Sequence, residues 1–291
     1  MSDGAEAVLA TGELAEARSP ARPKMQRVRK QRLRAAWKPL LADLGLGAVL
    51  PAIVLAAWQA AGSAGLISDF FLPAPLAILK SLAELTVSGE LIRHLGISMG
   101  RAGLGFLLGG ALGLLFGIVN GLFRKAEYLL DPVFQVLRLV PHLAIAPLII
   151  LWFGFGETSK ITIITSGAFF PLYINTFLGI RQVDGKLLEV GRVLGFGTYD
   201  RLRCLVLPAA LPNILLGLRL SFGVAWIGLV VAELIGAQSG VGFLINQAKQ
   251  NSDTAEVFVG ILIFAVTGKM IDSVVRLLER RMLLWRDSYK G

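Results

Sequence analysis

The sequence predicts an all-α, polytopic membrane bundle of about six transmembrane helices. Three observations predict it: an apolar composition, apolar runs of membrane-crossing length, and a lopsided distribution of basic residues. Of 291 residues, 55% are hydrophobic and 17% charged, and the mean hydropathy of +0.67 lies outside the range of water-soluble domains. A helix needs about 20 apolar residues to cross a hydrocarbon layer roughly 30 Å thick. Runs of that kind, bounded by charge or turn residues, cover 41–62, 94–122, 130–153, 158–179, 209–235 and 255–276.

The basic residues orient these runs. Between Arg22 and Lys38 there are eight lysines or arginines and no acid, a pattern expected of a cytoplasmic segment held near anionic headgroups. With the amino terminus inside, six crossings place 123–127, 181–206 and 276–291 inside as well. These three segments and the stretch Arg22–Lys38 together hold twenty lysines and arginines, against Lys80, Arg93 and Lys249 on the other side. Both termini are therefore expected in the cytoplasm. The pI of about 10.0 follows from this topology and does not imply nucleic acid as a partner; membrane lipid is the expected one.

Four segments follow: a basic, largely disordered stretch at 1–38; a first crossing with an external surface segment at 39–93; a transmembrane domain at 94–276; and a cytoplasmic tail at 277–291. The first 20 residues lack the long apolar core of a signal peptide. Within 69–89, Pro73 and Pro75 precede an apolar stripe with a polar face, which predicts a short helix at the membrane surface, as a bracket or as a docking surface. Gly105, Gly109, Gly110, Gly113 and Gly117 form a small-residue stripe expected to pack against a neighbouring helix. The single cysteine, Cys204, excludes a disulfide within the chain, and two histidines without a Cys or acidic cluster give no metal-ligand spacing.

The connection at 181–208 is far longer than the few residues that join most bundle helices. Leu187, Leu188, Val190, Val193 and Leu194 alternate with Lys186, Glu189 and Arg192 as in an amphipathic helix. Gly195-Phe196-Gly197 stops that helix, and a second is expected from Tyr199 to Leu207, before Pro208 and Pro212. Two amphipathic helices projecting into the cytoplasm require a cover for their apolar faces.

Glu189, Gly195 six residues on, Leu205 and the pair Leu207-Pro208 closely match the spacing of the EAA loop in permease subunits of binding-protein-dependent ABC importers. The two alanines that follow the glutamate in that pattern are Val190 and Gly191 here, and Gly191 should loosen the helix by something under about 1 kcal/mol. The resemblance extends from about Pro39 to the end of the chain. Within it, VPHLAIAPLIILWFGFGETSKI at 140–161 and FPLYINTFLGIR at 170–181 look most like the aliphatic sulfonate branch, with Pro141-His142 as the telling detail. Taurine, nitrate and bicarbonate permeases are similar but less close.

The resemblance implies a type I ABC importer permease fold in a bacterial inner membrane, with two copies enclosing the path as a homodimer. It implies as partners ATP-binding cassette ATPase subunits, which would use ATP and Mg, and an external solute-binding protein. It further implies that 181–208 couples ATPase closure to the bundle through Glu189 and Gly195. No Gly-rich phosphate loop of the GxxxxGK[ST] type occurs, so no nucleotide, cofactor, metal or catalytic role is expected of this chain.

Ionisable residues within membrane segments are costly and become functional candidates. Arg101, His142, Arg219 and Glu233 are such candidates for the translocation path. Arg219 and Glu233 lie roughly 21 Å apart along one helix and cannot pair. Arg219 either lines the route or pairs with a neighbouring helix, and Lys269 and Asp272 form a local pair. A secondary transporter would show matched halves with interrupted helices and midplane carboxylates, and a membrane enzyme would show a catalytic constellation. The sequence displays neither.

Overall fold

The computed structural model describes residues 49–283. The basic segment 1–38, the start of the first apolar run and the last eight residues of the tail lie outside the described residues. The chain divides into two units, the first ending at Ala61 and the second starting at Gly62. Of the first unit residues 49–61 are described, and they belong to helix α1, Val49–Ser63.

Among its described residues the second unit holds helices and no strand. Helix α2 (Pro75–Val87) has Pro at its first turn, where the missing N–H costs nothing, and buries Ile78 and Leu85. This is the short helix expected after Pro73, and it packs on the last described helix. Gly89, at φ 76°, turns the chain into α3 (Glu90–Leu122). There follow α4 (Arg124–Leu139), α5 (Ala146–Phe153), α6 (Glu157–Arg181) and α7 (Gly185–Val193). Next, α8 (Thr198–Arg201), a π-helical turn (Leu202–Val206) and α9 (Leu207–Gly236) run on as one helix of 39 residues. Helices α10 (Val241–Gln250) and α11 (Thr254–Met282) complete the described chain.

Four of these helices are long and apolar enough to cross a membrane: Glu90–Leu122, Glu157–Arg181, Thr198–Gly236 and Thr254–Met282. The expected continuous third crossing at 130–153 is corrected to two helices. Val140 is extended (φ −74°, ψ 120°) and Pro141 follows it; proline disfavours the helical region for the residue before it and brings no N–H of its own. The chain turns once, Ala144 N–H donating to Pro141 O at 2.8 Å, and resumes as α5.

Helices α3, α6 and α9 form the centre. Ala102, Ile164, Ala168, Ala225, Leu229, Val241 and Phe264 make one buried cluster among them and the helices that follow. The glycine stripe is the α3–α6 contact: a Cβ at Gly105 would lie 2.6 Å from Ile164 Cβ, at Gly113 2.6 Å from Phe169 O, and at Gly117 2.6 Å from Thr176 Cβ. Such close approach of backbones replaces the hydrophobic effect as the cohesive force between helices in lipid. Gly113→Leu, pressing on backbone that cannot yield, is expected to destabilise the bundle by about 2 kcal/mol or more, read as a lowered melting temperature in detergent. Gly96→Ala, which faces open space, is the matched control and should not lower it.

Helix α4 stands apart, with none of its residues buried. Phe134, packed edge-on against Phe116, Phe169 and Tyr173, holds it to the bundle. Two polar ties add to this, Tyr173 Oη to Asp131 at 2.9 Å and Arg181 to Glu127 at 2.9 Å.

Candidate functional site

The loop between α6 and α9 is built from local signals. Asp184 caps α7 by accepting from Lys186 N–H at 2.9 Å. At the other end Gly195 N–H donates to Arg192 O at 3.0 Å and Phe196 N–H to Gly191 O at 2.9 Å, a Schellman stop whose left-handed residue is Gly195 at φ 72°. Gly191 is buried: a Cβ there would lie 2.6 Å from Leu205 Cδ1 and 3.5 Å from Arg201 Cγ. The position read as a weak point of α7 is thus also where α7 closes onto the π-turn.

The loop has an anchored side and a free side. Leu188 and Leu202 pack with Val183 and Ile214 around buried Ile180, Val206 and Ala210. Glu189 is exposed, and so are Val190, Val193, Leu194 and Tyr199, Val193 by 88%. Leu205 and Leu207 are half-buried and Pro208, at the first turn of α9, is exposed. An acidic residue set among solvent-facing apolar side chains, on a loop fixed at its base, is an arrangement suited to protein docking.

Among the intramembrane candidates, Arg101 and Glu233 come together. Arg101 Nη1 donates to Glu233 Oε1 at 2.7 Å and to Ser239 O at 2.6 Å, while Nε and Nη2 grip Glu157 in a fork, both at 2.6 Å. Glu233, 0% exposed, also accepts from Ser98 Oγ at 2.8 Å and from Gly242 N–H at 2.9 Å. His94 Nδ1 accepts from Gly240 N–H at 2.9 Å. Lys160 Nζ reaches Glu157 at 3.2 Å. Two cations and two carboxylates therefore balance, and the cluster ties α3, the start of α6, the end of α9 and the entry to α10.

Arg219 and Glu233 do not pair with each other, as their separation required. Arg219 Nε donates instead to Asp272 of α11 at 2.9 Å, and Arg276 holds the other oxygen at 2.9 Å. Lys269 stands farther off at 3.9 Å. Arg219 and Asp272 also line a cavity of about 130 Å³ beside Phe222 and Trp226.

His142 lies in the break between α4 and α5. It lines a cavity of about 200 Å³ with Arg138, Ser166 and Val224, and its Nε2 is buried without a hydrogen-bond partner.

Sequence reasoning passed over Glu157, Lys160, Ser98, His94 and Arg138. Glu157 and Lys160 sit at the edge of an apolar run, where charge reads as a boundary. Arg138 lies inside the run 130–153 and was legible as an intramembrane cation.

Residues 109–284 match the family described as "Binding-protein-dependent transport system inner membrane component". The putative aliphatic sulfonates transport permease protein SsuC of Bacillus subtilis (strain 168) is 59% identical over 245 residues, covering 84% of this chain and 89% of that protein. Its namesake in Escherichia coli (strain K12) is 45% identical, covering 82% and 91%. The taurine transport system permease protein TauC of Escherichia coli (strain K12) is 35% identical, covering 89% and 96%. A crystal structure of an amino acid ABC transporter with histidines shares the fold, with a TM-score of 0.58 at 20% identity over 69% of this chain and 97% of that one. A structure of the MetNI methionine ABC transporter in an inward-facing conformation follows at a TM-score of 0.51 and 16% identity, over 65% and 98%. By family match over more than half its length, and by full-length relatives well above 30% identity, the chain belongs to the binding-protein-dependent transport system inner membrane components and is a multi-pass membrane permease subunit of an ABC importer.

Proposed function

We propose that this permease carries aliphatic sulfonates across a bacterial inner membrane and that its loop 181–208 is the seat of the ATPase. In this reading the chain crosses six times with both termini in the cytoplasm, pairs with a second copy of itself, and receives its solute from an external binding protein. ATP and Mg are consumed by the ATPase subunits, and this chain supplies no catalytic group. The sulfonate assignment draws on the likeness to the two SsuC proteins. TauC supports taurine as a second cargo of the same chemistry, since taurine is itself a sulfonate.

The observation that carries the coupling role is the free side of the loop, where exposed Val190, Val193 and Leu194 flank the Glu189 carboxylate. Glu189→Lys reverses the charge there without touching the anchored side. Co-purification of the ATPase is expected to fall by about tenfold or more, and ATP-driven uptake of ethanesulfonate into proteoliposomes holding the full importer should fall with it. Retention of the ATPase at the wild-type level would refute the seat; failure of the wild type to take up ethanesulfonate or taurine would refute the cargo.

A further inference from the structure

We propose that the cavity at the break between α4 and α5 is an anion subsite on the translocation route, in which Arg138 and His142 receive the oxyanion head of the cargo. The proposal rests on the sulfonate reading above and deepens it.

Depth comes first. Gly167 lies ten residues along α6, roughly 15 Å into a helix roughly 37 Å long, and Val224 lies twelve residues, roughly 18 Å, from the corresponding end of α9. Two helices thus independently place the cavity near the middle of the membrane. Irregular backbone at that depth is tolerated where it is covered by protein or lines a polar cavity, and the 140–145 turn does line one. Its volume of about 200 Å³ has room for a small oxyanion with water.

Charge comes next. Arg101, Arg181, Arg219 and Arg276 each hold a carboxylate. Arg138 holds none among the described residues, and the acids of its own helix are engaged elsewhere, Glu127 by Arg181 and Asp131 by Tyr173. A guanidinium at membrane depth with no protein counter-ion is costly, and its planar fork suits sulfonate oxygens. An anionic cargo would supply the missing charge for the time of its passage.

The remaining wall fits the same ligand. Ser166 spends its hydroxyl on Ile163 O at 2.8 Å, which leaves His142 as the second polar group. Its ring rests on Gly167, where a Cβ would come within 3.3 Å of Nε2. Val140, Phe170 and Val224 offer apolar surface for an alkyl tail.

The test has two arms. In a Cys204→Ser background, Ser166→Cys places a thiol on the cavity wall. It should react about tenfold faster with 2-sulfonatoethyl methanethiosulfonate than with the trimethylammonium analogue, the preference one charge-assisted contact can supply. Excess ethanesulfonate should slow that reaction, and Arg138→Gln should abolish the preference. Equal rates, a preference for the cation, no reaction, or a preference indifferent to Arg138 would each overturn the subsite. In the second arm, Arg138→Gln should lower ATP-driven uptake of ethanesulfonate by about tenfold, with folding read from ATPase co-purification and partial rescue by Arg138→Lys. Unchanged uptake also overturns it. Should the wild type move no sulfonate, the cargo assignment falls and the labelling preference decides the subsite without it.

Discussion

Replacing Arg101 with methionine is expected to cost about 3–5 kcal/mol of stability, because it strands a carboxylate that is wholly buried. Glu233 would keep Ser98 and the Gly242 amide but lose its counter-charge, and the fork on Glu157 would vanish with it. Four chain segments meet at this guanidinium, so its loss loosens α3, α6 and α9 at one end together. The readout is the melting temperature in detergent and the fraction that stays monodisperse. Arg101→Met with Glu233→Gln should recover part of the deficit, since the second change removes the stranded charge, and that non-additivity separates an electrostatic role from simple packing. Glu233→Gln by itself should be milder, because Arg101 retains Glu157.

Gly191→Leu is expected to disconnect the ATPase from an otherwise intact bundle. Leucine is the better helix former by roughly 0.8 kcal/mol, so propensity predicts a stronger α7. The structure predicts the opposite for the loop, because the first added carbon would already stand 2.6 Å from Leu205 Cδ1 and the longer side chain must push α7 off the π-turn. ATPase co-purification should fall by about tenfold or more, with the melting temperature of the bundle nearly unchanged, because the contact lies outside its core. Gly191→Ala should show a smaller loss, and combining it with Leu205→Ala should restore binding by making room. Wild-type association in Gly191→Leu would mean that the two arms of the loop move independently.

Much of this architecture was legible from hydropathy. The runs 94–122, 158–179 and 255–276 fall inside α3, α6 and α11 almost entirely, and the glycines of α3 announced a close helix contact that Ile164 and Phe169 fill. The third run misled because Val, Leu and Ile on both sides of Pro141 keep the hydropathy high while the backbone beneath changes course; apolarity reports burial in lipid and not helical continuity. The helix expected from Tyr199 to Leu207 and the fifth run at 209–235 are one continuous element, because Pro208 falls in the first turn after the π-turn and does not interrupt it.

The candidate residues divide in the same way. Gly195 was readable because a glycine stop is a local device, specified by neighbours within four residues. The Arg101 cluster was not, because its partners lie 56 and 132 residues away in sequence and only the fold brings them together. Gly191 shows the intermediate case: the residue was noticed for its effect on its own helix, while the contact that gives it a second role is with Leu205, across the loop.

The 39-residue helix from Thr198 to Gly236 has a mechanical consequence. One end sits in the loop, the other is fastened through Glu233 by Arg101, and as a rod it measures roughly 58 Å. With the fastened end as fulcrum, a tilt of roughly 5° carries Thr198 through about 5 Å, a stroke of the size that packed helices can slide or pivot. Val224 lies nine residues from Glu233 and Thr198 thirty-five, so the same tilt moves the wall beside His142 by only about a quarter as much, near 1 Å. A tilt of that kind would make the helix a reducing lever, in which a long excursion at the loop becomes a short displacement at mid-membrane.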